Sequence, residues 1–188
     1  METDPIDNSS ILPREPRPAK TLLSGWLRDV LISLAVSAFF IIFLYQPVKV
    51  EGTSMMPTLQ DQERVFINKF VYKLEPIARG DVIVFRYPRD PSKSYIKRVV
   101  AIAGDEVSIE DGVLFVNGHR INESYVPEQY EDVRSYPASI VPPHSYFVLG
   151  DHRNLSNDSR DFGPVSEDFI YGKAVFGYWP VGRLGTLR

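Results

Sequence analysis

The chain has 188 residues, 44% of them hydrophobic, with a formal net charge of −3 and no cysteine. That length holds one ordinary domain beside a membrane segment. The charge offers no basic footprint for nucleic acid, and the absence of cysteine removes disulfides, thiolate metal sites and a cysteine nucleophile together.

Residues 1–28 read as a disordered cytoplasmic tail, because residues 1–20 carry Pro, Ser and charge without apolar periodicity. The sixteen-residue apolar run Val30–Tyr45 would be about 24 Å long as a helix and predicts one transmembrane helix over 29–46. Trp26, Leu27 and a snorkelling Arg28 lengthen that span. A cleaved secretory signal is the alternative, but its apolar region would be long and no A-x-A-like site precedes Lys49 and Glu51. Arg14, Arg17, Lys20 and Arg28 precede the run, whereas only Lys49 and Arg64 follow within twenty residues. The positive-inside rule therefore puts the N-terminus in the cytoplasm and the body of the chain across the membrane.

Residues 47–188 read as β-rich. Arg64–Lys69, Asp81–Tyr87, Tyr95–Ala103, Ser145–Leu149 and Gly172–Trp179 are runs rich in Val, Ile, Phe and Tyr. Glu106–Glu110, Val113–Val116 and His119–Ile121 are separated by Asp111-Gly112 and Asn117-Gly118, which predicts a three-stranded meander with two-residue turns. No stretch after residue 50 carries a helical apolar period. Residues 122–144 hold Pro127, Pro137, Pro142 and Pro143 among Tyr125, Tyr130 and Tyr136, and read as an irregular excursion. The expected fold is mainly β, an antiparallel domain tethered by one helix.

Three clusters could carry chemistry. Ser54 lies in Gly52-Thr53-Ser54-Met55-Met56-Pro57-Thr58-Leu59, where Pro57 disfavours helix at Met56. Met55, Met56 and Pro57 offer an adaptable apolar surface for an extended peptide or for lipid, or else they are core beside a polar turn. An extended chain keeps Ser54 within roughly 30 Å of Tyr45, so a nucleophile here would work on a membrane-bound substrate. In Tyr95-Ile96-Lys97-Arg98-Val99-Val100-Ala101, alternation puts Lys97 and Arg98 on opposite faces, so one cation shares a face with bulk apolar groups. A desolvated lysine can be a neutral base, whereas an edge lysine would snorkel. The loop from Gly150-Asp151-His152 through Ser156, Asp158, Ser159 and Arg160 to Gly163 could hold a second hydroxyl and brace itself with an Asp–Arg pair, or simply cap itself in solvent.

Three other patterns fail on geometry. Ser94-Tyr95-Ile96-Lys97 matches S-x-x-K, which needs a helical turn where this run reads as strand. Ser54, His152 and Asp151 cannot readily form a triad, because adjacent Asp and His do not align carboxylate with imidazole. Asp151, His152, Asp158 and Asp161 lack a recognised metal-ligand spacing.

In their order, these clusters resemble the bacterial-type signal peptidase I (leader peptidase) family of membrane serine proteases. Four blocks carry the resemblance over residues 30–180. They are the apolar segment; Gly52 to Leu59; Arg79-Gly80-Asp81-Val82-Ile83-Val84-Phe85 with Tyr95 to Val99; and Gly150-Asp151 through Arg160. The resemblance implies Ser54 as nucleophile and Lys97 as general base of a Ser–Lys dyad. It implies that Ser156 orients Lys97, that Asp158 and Arg160 pair, and that Asp151 belongs to the same supporting loop. The Ser54 N–H would be one oxyanion donor. Gly52 stands where many relatives carry a serine that adds a second donor, and His152 where Asn is usual. The implied fold is mostly β around the site, with an apolar surface meeting the lipid. The implied substrates are signal peptides of exported preproteins, with small residues first and third before the cleaved bond.

The implied setting is the cytoplasmic (inner) membrane, with the catalytic domain on the extracytoplasmic side and the protein translocation machinery as a further partner. No cofactor or metal is implied. A specialised maturation peptidase of the same family, or a non-catalytic signal-peptide-binding β domain, are the competing readings.

Overall fold

The computed structural model describes residues 19–187, so the first eighteen positions of the expected tail lie outside the described residues. The described residues divide into two compact units, with the boundary between Ile41 and Ile42. A helix, α1, spans Ala19–Leu44, starting well before the expected boundary at 29. Ala19, Lys20, Leu22 and Leu23 are strong helix formers, which extends the helix through positions expected to be tail. At its other end Tyr45 and Gln46, expected within the membrane helix, belong instead to strand β1 (Tyr45–Lys49), paired with Asn68 and Ile67. Among the described residues no helix is long and apolar enough to cross a membrane.

The second unit is built on antiparallel strands. After β1 come β2 (Arg64–Asn68), a one-turn helix α2 (Val71–Leu74), β3 (Val82–Tyr87) and β4 (Asp90–Ala101). Then follow β5 (Glu106–Glu110), β6 (Val113–Val116), β7 (His119–Arg120), β8 (Tyr136–Ile140) and β9 (Ser145–Leu149). A short helix α3 (Ser159–Phe162) leads to β10 (Val165–Ser166), β11 (Ile170–Trp179) and β12 (Gly185–Thr186). The large sheet runs β1-β2-β11-β3-β4-β9-β10 with β12 on β11, and the small one runs β7-β6-β5-β8.

The small sheet has four strands, not the three of the expected meander. Asp111, Gly112, Asn117 and Gly118 all have positive φ, as two-residue hairpin turns of matching twist require. The fourth strand, β8, falls within 122–144, where prolines argued against one. It pairs with β5 at Glu106↔Ile140 and Val107↔Ser139, then slips register to Ile109↔Tyr136. An edge strand tolerates Pro137 because a residue at the slip need not donate to the ladder. The rest of the excursion remains irregular apart from a 3₁₀ turn at Glu128–Tyr130.

Three apolar clusters hold this unit together. Val107, Ile109, Leu114 and Val116 of the small sheet pack on Val100, Ala101, Phe147 and Leu149 of the large one. Ile83, Phe85, Val99 and Val148 form a second cluster. Met55, Leu59, Val65, Val82 and Ala174 form the third and seat the turn that carries Ser54.

Candidate active site

The turn from Gly52 to Leu59 is a closed hydrogen-bonded unit. Met56 N–H donates to Thr53 O at 3.0 Å and Leu59 N–H to Met55 O at 2.9 Å. Met55 is only 1% exposed and acts as the plug that seats the turn in the core, so it presents no surface to lipid. Met56 and Pro57 are half-buried. Gly52 opens the turn at φ +95°, a conformation that L side chains rarely adopt, and its N–H donates to Asp61 Oδ1 at 2.8 Å. A side chain at Gly52 would meet nothing within 4 Å, so backbone conformation rather than space is what selects glycine there.

Ser54 faces β4. Lys97 Nζ lies 2.7 Å from Ser54 Oγ and 2.9 Å from Ile96 O, with the lysine only 3% exposed. No carboxylate touches the amine among the described residues. Burial pushes Lys97 down to about 8, against the upward pull of Asp158 and Asp151. A buried amine of lowered basicity in hydrogen-bond reach of a serine hydroxyl can take that hydroxyl's proton.

Arg98, the next residue of β4, is 2% exposed and meets Asp151 bidentately, Nε to Oδ1 at 2.9 Å and Nη2 to Oδ2 at 2.8 Å. Thr58 Oγ1 donates to the same carboxylate at 2.5 Å, and the guanidinium lies 4.1 Å from the Tyr125 ring centre. Asp151 therefore ties the base strand to the nucleophile turn. Alternation in β4 required one buried cation; both are buried, Lys97 against Ser54 and Arg98 against Thr58, Asp151 and Tyr125.

The Asp158–Arg160 pair expected from the motif is present, with Arg160 Nη2 at 2.7 Å from Asp158 Oδ2. Burial alone would raise the Asp158 carboxyl, but Arg160, aided by Gly150 N–H at 3.1 Å, holds it below the usual carboxylate range. Asp158 also caps α3 by accepting from Arg160 N–H at 3.2 Å. The Ser156 hydroxyl sits near enough to add to that lowering, yet it meets no partner at hydrogen-bond geometry and does not reach Lys97. It lies over Gly150, where a Cβ would come within 2.2 Å of Ser156 Oγ and 2.4 Å of Ser54 O.

Sequence reasoning left His152 without a role. Its backbone N–H donates to Ser54 O at 3.1 Å and its ring Nδ1 lies 3.1 Å from Thr53 O, so main chain and ring together latch the nucleophile turn to the loop. The Tyr130 ring packs against it at 76°, with centroids 4.4 Å apart. Arg153 was also missed: it pairs with both oxygens of Glu123 and donates to Gly150 O at 3.0 Å, fastening the excursion to the same loop. A buried-arginine role leaves little local signal, since both partners are ordinary surface residue types until the fold closes over them.

A groove of about 400 Å³ runs past Ser54 and Lys97, lined by Val48, Val50, Val84, Tyr95, Ile96 and Tyr171 among others. Of the three residues expected at the groove or the membrane, Met55 lines the groove, whereas Met56 and Pro57 stand outside it. A second cavity of about 480 Å³ lies in the excursion, between Asp111 and Arg153, and contains neither Ser54 nor Lys97.

These features set a lysine amine, not a histidine, against a serine hydroxyl. The family model for signal peptidase, peptidase S26, matches residues 23–179. The chain is 34% identical over 174 residues to signal peptidase I P of Bacillus subtilis subsp. natto, covering 88% of this chain and 94% of that one. It is 36% identical over 177 residues to signal peptidase IB of Staphylococcus aureus, covering 86% and 92%. A crystal structure of a signal peptidase I from Enterococcus faecalis is 31% identical, with a TM-score of 0.47 over 53% of this chain and 97% of that one. The chain belongs to the signal peptidase I family of serine peptidases.

Proposed function

We propose that the chain is a membrane-bound endopeptidase that removes signal peptides from exported preproteins through a Ser54–Lys97 dyad. The observation that carries this reading is the 2.7 Å approach to Ser54 Oγ of a Lys97 amine whose basicity burial lowers to about 8. Neutral Lys97 takes the Ser54 proton as Oγ attacks the scissile carbonyl, then gives it to the leaving amine as the peptide bond breaks. Water, deprotonated by the same amine, releases the acyl group and restores the serine. The Ser54 N–H serves as one oxyanion donor.

In the substrate complex Ser156 Oγ would orient the base, a contact the free chain lacks. Asp151, Asp158 and Arg160 hold the loop that carries it. The groove, lined by apolar and polar groups alike, suits an extended peptide with small side chains at the cleaved junction.

Membrane attachment is supported by α1, where Leu31, Ile32, Leu34 and Ile41 are all more than half exposed. These exposed apolar side chains call for a lipid surrounding, and the charge asymmetry of the sequence orients the chain with residues 1–28 in the cytoplasm. The catalytic unit then stands outside the cytoplasmic membrane, where the translocation machinery delivers preproteins. The deciding experiment incubates the detergent-solubilised chain with a preprotein and maps the new N-terminus. Cleavage at the signal junction by the wild type, lost in Ser54→Ala, is expected; cleavage retained in Ser54→Ala would sink the reading.

A further inference from the structure

The last residues of the chain lie beyond the stretch matched by the family model, which ends at 179. They nevertheless fold back onto the nucleophile turn. Val181–Arg183 form a 3₁₀ turn, β12 pairs with β11 at Gly177↔Gly185 and Phe176↔Thr186, and Leu187 N–H donates to Val175 O at 3.1 Å. Leu187 also packs against the apolar cluster that contains Met55 and Leu59.

From this segment Arg183 reaches the far end of the turn. Its Nη2 donates to Pro57 O at 2.9 Å and Thr58 O at 3.0 Å, and its Nε to Glu63 Oε2 at 3.1 Å. Glu63 is only 2% exposed and accepts from Gln60 N–H at 2.9 Å, so its charge needs the nearby guanidinium. The site is built for this pair. A Cβ on Gly177 would come within 2.8 Å of Glu63 Oε1 and 3.3 Å of Arg183 O. A planar fork that holds two carbonyls and a carboxylate at once is a task for arginine, which lysine can do only in part.

We propose that residues 180–187 form a C-terminal clasp and that Arg183 is a positioning residue for the reaction. It touches no reacting atom. Because Thr53 to Leu59 is one hydrogen-bonded unit, holding the carbonyls of Pro57 and Thr58 sets where Ser54 Oγ stands relative to Lys97 Nζ. A turn freed at that end loses the near-attack geometry while the groove walls supplied by β1, β3 and β4, with Val48, Val84, Tyr95 and Ile96, stay in place. The proposal rests on Ser54 being the nucleophile.

The test measures kcat and KM for cleavage of a signal-junction peptide by the full chain in detergent. The variants are Ser54→Ala, Arg183→Met, Arg183→Lys and the double Glu63→Gln/Arg183→Met. The double removes the stranded buried charge, so that loss of folding does not stand in for loss of position. Arg183→Met and the double are expected to lose about tenfold or more in kcat with KM within about twofold, and Arg183→Lys to recover part of the loss. A folded double variant with wild-type kcat overturns the clasp, since the buried charge would then explain the single variant. A loss confined to KM overturns it as well. Activity in Ser54→Ala would instead overturn the catalytic reading, whatever Arg183 does.

Discussion

Lys97 and Arg98 are neighbours on one strand, equally buried, and they end in opposite conditions. Arg98 on its face meets a carboxylate with two hydrogen bonds and a tyrosine ring, so its buried charge is compensated. Lys97 on its face meets a hydroxyl and a carbonyl, and no carboxylate touches it, so burial pushes it down to about 8. Pairing, not burial, separates a structural cation from a reactive one. The carboxylates that could have neutralised Lys97 are already engaged: Asp151 by Arg98 and Asp158 by Arg160. Those pairs keep the base free.

Removing the reactive side of this contrast has the largest expected effect. Ser54→Ala and Lys97→Met should each lower kcat/KM by at least about 10⁴-fold, with the double variant hardly worse than either, because the two act as one unit. Additive losses would show that they do not. Removing the structural side should act on the fold instead. Arg98→Met strands the buried Asp151 carboxylate and should cost about 3–5 kcal/mol in urea unfolding, much of it recovered in Arg98→Met/Asp151→Leu. Equal losses in the single and the double would deny that the pair is balanced.

The pH dependence sharpens the comparison from both sides. Only neutral Lys97 can accept the serine proton, so kcat/KM should rise with pH through about 8. The same burial opposes folding. The folded-state value lies below the ordinary 10.5, so the unfolded chain holds the extra proton between about 8 and 10.5, and stability from this group rises with pH across that window. Below 8 the full cost is present, about 3 kcal/mol. Lys97→Met should therefore stabilise the inactive domain at pH 7 and lose that advantage towards pH 10.5, as thermal unfolding would record. A rate that climbs only near 10.5 would break the contrast with Arg98.

Smaller effects are expected at the margins of the site. Ser156 Oγ is a buried hydroxyl with no partner, so Ser156→Ala should leave stability unchanged. A fall in kcat of about tenfold, the kinetic worth of roughly 1.4 kcal/mol, would show that the hydroxyl bonds Lys97 once substrate is bound. An unchanged kcat would remove Ser156 from the mechanism. At Gly52, φ +95° strains any side chain, so Gly52→Ser and Gly52→Ala should lose similar small amounts, about 1–2 kcal/mol in stability. A Gly52→Ser variant with raised kcat would restore the view that a hydroxyl there meets the oxyanion.

Much of the β framework was legible in the chain. Glu106–Glu110, Val113–Val116 and Ser145–Leu149 end where alternation and the Asp-Gly and Asn-Gly turns place them. These are local signals, and local sterics decide them. Strand β8 was hidden because Pro137 speaks against a strand wherever its edge position is unknown. The start of α1 was hidden because charge and proline in the preceding residues outweighed a run of good helix formers.

By itself the sequence determined which residue types were available for chemistry and where along the chain they lay. It set a serine in a proline-closed turn, a lysine inside an apolar strand, and a loop dense in Asp, Arg and Ser. Only the tertiary structure decided what each became. Ser54 and Lys97 are 43 residues apart, Arg98 and Asp151 53, and Glu63 and Arg183 120. Whether a buried charge finds a counter-charge depends on contacts across those separations, and no periodicity or turn rule reaches that far. The same non-local packing latched His152 to the nucleophile turn and left Ser156 without a partner. Burial lowers a lysine's basicity only where no carboxylate arrives, and which carboxylates arrive where is settled by the fold.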